Sequence, residues 1–154
     1  MIWVTSWISL ALLTVVVSQP LFYSLALGRA TRQLGPSAYV ELRQQINATI
    51  ARPFVRLYIA TLVSLLALVA GALIQAARLL ALGAATAGVA LIVDAVLAAK
   101  LNVPINARMD GWSVANVPSD WQTQRAHWDH ALAIRRVVLL AGYAALTLAL
   151  TART

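Results

Sequence analysis

The sequence contains no cysteine. That excludes disulfides, thiolate catalysis and cysteine-based zinc or iron–sulfur sites. Acidic residues are nearly as scarce, five against twelve Lys and Arg, for a formal net charge of +7. Charged residues of both signs make up 11% of the chain, where a soluble domain carries roughly 25%. No serine stands in a Gly-x-Ser-x-Gly elbow, and there is no glycine-rich phosphate loop, dinucleotide fingerprint or HExxH. Hydrolase, kinase and nicotinamide-dependent chemistry therefore has no support.

What the chain has is apolar length. It is 61% hydrophobic with a mean hydropathy of +0.78, and the bilayer is its expected solvent. The basic surplus lies beside apolar runs, which points to positive-inside topology and not to nucleic acid. The expected fold is all-α: a single integral membrane four-helix bundle with extended helices and polar loops on one side. The spans fall at about 3–27, 54–74, 79–101 and 137–152. The first lacks a basic region ahead of it and exceeds the roughly 7–15 apolar residues of a signal peptide, so it reads as a retained helix. Pro20 should kink it. Gly28 suits its end, and Gly35-Pro36 a turn.

Residues 37–53 form an amphipathic helical extension. Tyr39, Leu42, Ile46 and Ile50 line one face, and Glu41, Gln45, Ala48 and Arg52 another. Pro53 either begins the second span or kinks one continuous helix. The link Gln75 to Arg78 is short enough to make spans two and three an antiparallel hairpin. In span three, Gly83, Ala84, Ala87 and Gly88 offer surfaces for close helix approach. The fourth span is short unless its helix begins near Ser119, with Ser119 or Asp120 as N-cap, giving a second extension at 119–136. Arg29, Arg32, Arg43, Arg52, Arg56, Lys100, Arg108, Arg125, Arg135 and Arg136 flank the two long loops. Only Arg78 and Arg153 mark the other face. This places both long loops in the cytoplasm, most simply of a bacterial inner membrane, and both termini outside.

Most of the polar chemistry lies in one stretch, Asn102 to Arg136. It opens with Asn102-x-Pro104-x-Asn106, which reads as a stiff turn carrying two amides. It passes through a loop with Trp112 and Pro118 and enters a long helix. There Trp121, Arg125, Trp128, Leu132 and Arg135 share one face. Indoles stack on flat aromatic ligands, guanidiniums neutralise an enolate or phenolate oxygen, and amides orient a carbonyl or hydroxyl. The alternative is an interfacial tryptophan belt with arginines serving topology and lipid head groups.

Asp94 is the least expected residue, since a carboxylate in a membrane helix costs roughly 2.5–3.5 kcal/mol on insertion scales. Gln19 should sit at a similar depth, and Arg56, Arg135 or Arg136 could reach Asp94. It is either a proton-handling or substrate-orienting acid, or a paired carboxyl that fixes helix packing. His127 and His130 stand three apart beside Asp129, without a clear third ligand for a metal.

Three segments in order resemble the anthrone oxygenase-like family of small four-helix membrane proteins, most of whose bacterial members have no assigned function. They are AYVELRQQINATIARPF at 38–54, with Asn47 and Pro53; NVPIN at 102–106; and W-x3-R-x2-W from Trp121 followed by AIRR at 133–136. With the four spans they cover nearly the whole chain. The resemblance implies a four-helix membrane bundle. It also implies oxidation of an anthrone to an anthraquinone, as in fungal relatives, with dioxygen as co-substrate and no cofactor that the sequence requires. Asn102, Asn106, Trp121, Arg125, Trp128 and Arg135 match the family pattern. The chain departs from it at Leu132, where many relatives carry a histidine.

Two functions from different classes follow. In the first, an oxygenase-like enzyme or binder takes a flat lipophilic aromatic or quinone-like molecule between the helices. Asp94 or His130 is then the base, Arg125 and Arg135 the oxyanion partners, Asn47, Asn102 and Asn106 the orienting amides, and Trp121 and Trp128 the walls. In the second, a non-enzymatic membrane subunit or lipid-binding bundle packs against membrane lipid, a partner or a second copy of itself.

Overall fold

A computed structural model describes residues 2–152; Arg153 lies outside the described residues. Four helices account for nearly all of it: α1 (Ile2–Thr31), α2 (Pro36–Ile74), α3 (Arg78–Asp110) and α4 (Trp121–Thr151), each long and apolar enough to cross a membrane. Each packs against its two neighbours in a closed ring, α1 on α2 and α4, and α3 on α2 and α4. The protein is therefore an all-α, multi-pass membrane bundle.

Composition explains why the interior is narrow. Leu13, Val16, Leu65, Leu68, Leu91, Leu139 and Leu146 fill the axis, while Val4, Trp7, Val15, Val63, Leu66, Val89 and Leu148 point outward, at least half exposed. In water such an outer surface would be an aggregation hazard; against acyl chains it costs nothing. Small residues set the closest contact. Gly83 and Ala84, Ala87 on α3 are buried against α4. A Cβ on Gly83 would fall 2.8 Å from the Ala145 carbonyl oxygen, and one on Gly142 2.6 Å from the Ala90 Cβ. The small surface of span three is thus largely spent inside the bundle. Gly88 is the exception, with open space beside it.

The prolines break less than their sequence positions imply. α2 runs unbroken through Pro53. At 39 residues it is about 58 Å long at 1.5 Å per residue, against a hydrocarbon core of about 30 Å. α1 likewise continues past Pro20 and past Gly28. A widened turn there lets the Gly28 N–H reach the Tyr23 carbonyl. Gly28 is not a helix end but a close approach: a Cβ would meet the Tyr23 carbonyl oxygen at 2.9 Å and its ring at 3.1 Å. The Asn102–Asn106 segment is not a turn either. A second widened turn, in which the Val103 N–H bonds to the Ala98 carbonyl, precedes Pro104 and carries α3 on to Asp110. Pro104 sits in the first turn after that break, where a missing N–H is best tolerated.

The α2–α3 hairpin closes in three residues. The Ala77 N–H bonds to the Ala72 carbonyl at 2.8 Å and the Ala76 N–H to the Leu73 carbonyl at 3.1 Å. This paired helix-end pattern needs a left-handed residue, and Ala76 supplies it with φ 54. At the opposite end, residues 111–120 fold back over the bundle. Trp112, Val114 and Val117 pack on Tyr39, Val40 and Met109. The Gln44 amide donates to the Met109 and Trp112 carbonyls at 2.9 and 3.0 Å. Asp120 precedes α4, its carboxylate accepting from Gln124 at 3.0 Å.

Candidate functional site

The extension of α2 is rotated slightly from its apolar pattern. Tyr39, Val40 and Arg43 are buried, while Glu41, Gln45, Ala48 and Arg52 are exposed. An arginine therefore enters the core of the polar end, and two sets of polar contacts result.

The deeper set centres on Asp94, which is fully buried. At 1.5 Å per residue it lies about 24 Å along α3 from Arg78, within the thickness of a hydrocarbon core. Arg135 meets it side-on, Nε 2.8 Å from Oδ1 and Nη2 3.1 Å from Oδ2. Tyr58 donates its hydroxyl to Oδ2. Arg135 Nη1 also donates to Asn102 Oδ1 at 3.2 Å, and the Asn102 amide donates to the Trp128 carbonyl at 3.2 Å. The carboxylate is thus held by a two-point ion pair and a phenol, the arrangement that makes a buried charge tolerable. Of the arginines expected near Asp94, only Arg135 bonds to it; Arg56 is exposed, and Gln19 is not among its partners.

Beside this pair a groove of about 580 Å³ runs between α2 and α3. Its walls are Ile50, Phe54 and Tyr58 on one helix and Ala95, Ala99 and Val103 on the other. Arg135 lies at its inner side, and Asn47, Asn106 and Asp110 at its polar end. Val55, Ile59 and Val103 are more than half exposed along its flank, which opens sideways out of the bundle. The Phe54 and Tyr58 rings lie 6.3 Å apart and tilted by 40°. Asn47 donates to Asp110 at 2.9 Å, and Asn106 Oδ1 accepts from Arg43 at 2.9 Å. The Asn106 amide N–H groups are therefore the ones left for the groove.

The shallower set joins α1, α2 and α4. The Arg43 guanidinium lies over the Trp128 ring at 4.0 Å, and Arg125 lies over Trp121 at 4.9 Å and Tyr39 at 5.4 Å. Tyr23 meets Trp128 edge-on at 4.9 Å and donates to Asp129 at 2.7 Å.

The structure thus divides the expected residues. The stripe Trp121–Arg125–Trp128–Arg135 does face inward. Yet only Arg135, Asn47 and Asn106 line the groove, with Asp94 and Asn102 bonded behind Arg135. Trp121, Trp128 and Arg125 are packed against Tyr39, Tyr23 and Arg43 and are not groove walls. Phe54 and Tyr58 take that part. His130 and His127 are exposed and do not line the groove. Nor does any group of three His, Cys, Asp or Glu come together among the described residues. Sequence reasoning missed Tyr58 as a partner of Asp94. The signal was present: Tyr58 stands as far from Ile74 as Asp94 does from Arg78, so antiparallel packing brings them level. Nothing in the sequence pattern singles out Arg43.

No family model, curated protein or solved structure matches the chain.

Proposed function

We propose that the groove between α2 and α3 binds a flat, lipophilic aromatic or quinone-like molecule bearing oxygen substituents. The observation that carries this reading is the pairing of an apolar, side-opening slot of about 580 Å³ with fixed polar groups, Arg135 and Tyr58 within and Asn106 at one end. Small-molecule sites are mostly apolar with a few placed polar groups. Phe54 and Tyr58 offer ring faces, and Arg135, clamped by Asp94, offers a donor that cannot swing away. We take the resemblance of residues 38–54, 102–106 and 121–136 to anthrone oxygenase-like proteins to imply the same ligand class. Binding has more support than turnover. The proton-abstracting step of anthrone oxidation needs a base, and Asp94 is already engaged by Arg135 and Tyr58. Neither histidine reaches the groove.

The membrane orientation belongs to this reading too. Arg43, Arg125 and Arg135 are interior contacts and do not count as topology signals. Arg29, Arg32, Arg52, Arg56, Lys100 and Arg108 remain exposed at the same end, against Arg78 at the other. Both long loops then face the cytoplasm.

The test is purification from membranes followed by absorbance and mass spectrometry for a bound ligand, then titration with an anthrone or naphthoquinone probe. Wild type should bind, and Ala51→Trp, which fills the slot from its exposed flank, should not. Equal binding by both proteins, or binding by neither, sinks the proposal.

A further inference from the structure

The groove is longer than a fused ring system, and its two ends differ in chemistry. Tyr58 marks its inner end on α2 and Asn47 its polar end, eleven residues apart; Ala95 and Asn106 repeat that spacing on α3. At 1.5 Å per residue the slot is about 16 Å long. A three-ring skeleton is too short to touch both ends. Between them Ile50, Phe54, Ala99 and Val103 present only hydrocarbon side chains. An oxygen substituent in that stretch would find no partner.

The inner end offers a donor. Arg135 gives three of its five N–H groups to Asp94 and Asn102 and a fourth to a longer contact of 3.5 Å with the Tyr58 hydroxyl, which leaves one. The polar end offers an acceptor beside a donor. Asn106 and Asp110 stand one turn apart on α3, and both line the groove. Asn47 fixes the Asp110 carboxylate through Oδ1, and among the described residues no hydrogen bond engages Oδ2. Arg43 holds Asn106 by its Oδ1, so the amide N–H groups are the free half. An ammonium group would suit Asp110 but confront the Asn106 donor. A hydroxyl suits both, donating to one and accepting from the other. We infer, resting on the reading of the groove given above, that its guest is an elongated amphiphile. A ring oxygen meets Arg135, an unsubstituted aliphatic spacer crosses the apolar stretch, and a terminal hydroxyl bonds to Asp110 Oδ2 and the Asn106 amide. Asp110 is exposed, so the hydroxyl stays near water while the ring lies at the depth of Asp94. Asp110 is thus a specificity-determining residue.

The experiment uses the full chain in maltoside micelles and a series of naphthoquinones with ω-hydroxyalkyl chains of increasing length. Each alcohol is paired with its methyl ether, which keeps the reach and removes the donor. Affinities are measured by calorimetry. With short chains, alcohol and ether should bind alike. Once the chain spans the slot, the alcohol should bind about three- to tenfold tighter, the range of one hydrogen bond. In Asp110→Ala that ratio should fall back to its short-chain value. Ratios are compared across lengths and between two proteins in one detergent, so partitioning into micelles cancels. A ratio that does not change with chain length overturns the inference, as does one that survives in Asp110→Ala. Should Asp110→Ala not fold, the wild-type length series decides. Ala51→Trp tells the two readings apart. Naphthoquinones that bind wild type and are blocked by Ala51→Trp, with no hydroxyl preference, sink this inference and leave the groove standing. No binding to wild type by any of the series sinks both.

Discussion

Arg135 and Asp94 meet side-on between α4 and α3, with nitrogen–oxygen distances of 2.8 and 3.1 Å. The pair ties together the two most closely packed helices at the level where the groove opens. Breaking one half leaves the other charge buried and uncompensated. Asp94→Asn should therefore destabilise the bundle by about 3–5 kcal/mol, read as a lower melting temperature in detergent. The double variant Asp94→Leu/Arg135→Met should recover much of that loss. A melting curve for Asp94→Asn that overlays wild type would show that the pair holds nothing.

Tyr58→Phe keeps the ring and removes the hydroxyl that bonds to Asp94. The expected loss is about 1–2 kcal/mol of stability, because the carboxylate keeps Arg135. Probe affinity in the groove should fall as well, since the inner wall loses a polar group. Unchanged stability and affinity would count against both assignments.

Glycines in α3 and α4 give a sharp contrast. Gly142→Leu drives a side chain into the Ala87 backbone and Ala90, and should cost about 1–3 kcal/mol or prevent assembly. Gly88→Ala meets nothing within 4 Å. By helix propensity alone it should be neutral or stabilise by about 0.5–1 kcal/mol. Thermal melts of the two variants in one detergent check both signs.

Ala76 holds φ 54 in the α2–α3 link. A left-handed conformation costs an L-residue roughly 1–2 kcal/mol, a penalty that glycine escapes. Ala76→Gly should raise the melting temperature, while Ala76→Val should lower it. Equal melting of all three would mean that the link carries no strain.

Much of the fold was legible because membrane solvent leaves a simple code. The four apolar runs, the hairpin at Gln75–Arg78 and the small face at Gly83, Ala84 and Ala87 all follow from local spacing. The prolines were harder. A proline's lost hydrogen bond is local, but whether a widened turn absorbs it depends on the neighbouring helix, as at Pro104. The same holds within the site. The face shared by Trp121, Arg125, Trp128 and Arg135 was readable from helical period. Which wall each side chain meets was not, because that depends on helix rotation. Tyr58 and Arg43 entered through pairing across helices, with Asp94 and with Trp128 and Asn106, and no single-helix pattern shows such pairing.

The exposed flank formed by Val55, Ile59 and Val103 has a consequence for dosage. On the proposed reading, a hydrophobic guest would enter sideways from the acyl phase, where it is already enriched by partitioning, and need not cross the aqueous film. Occupancy would then track moles of guest per mole of lipid, not the total amount in the sample. Diluting with empty vesicles at a fixed total amount of guest should empty the protein.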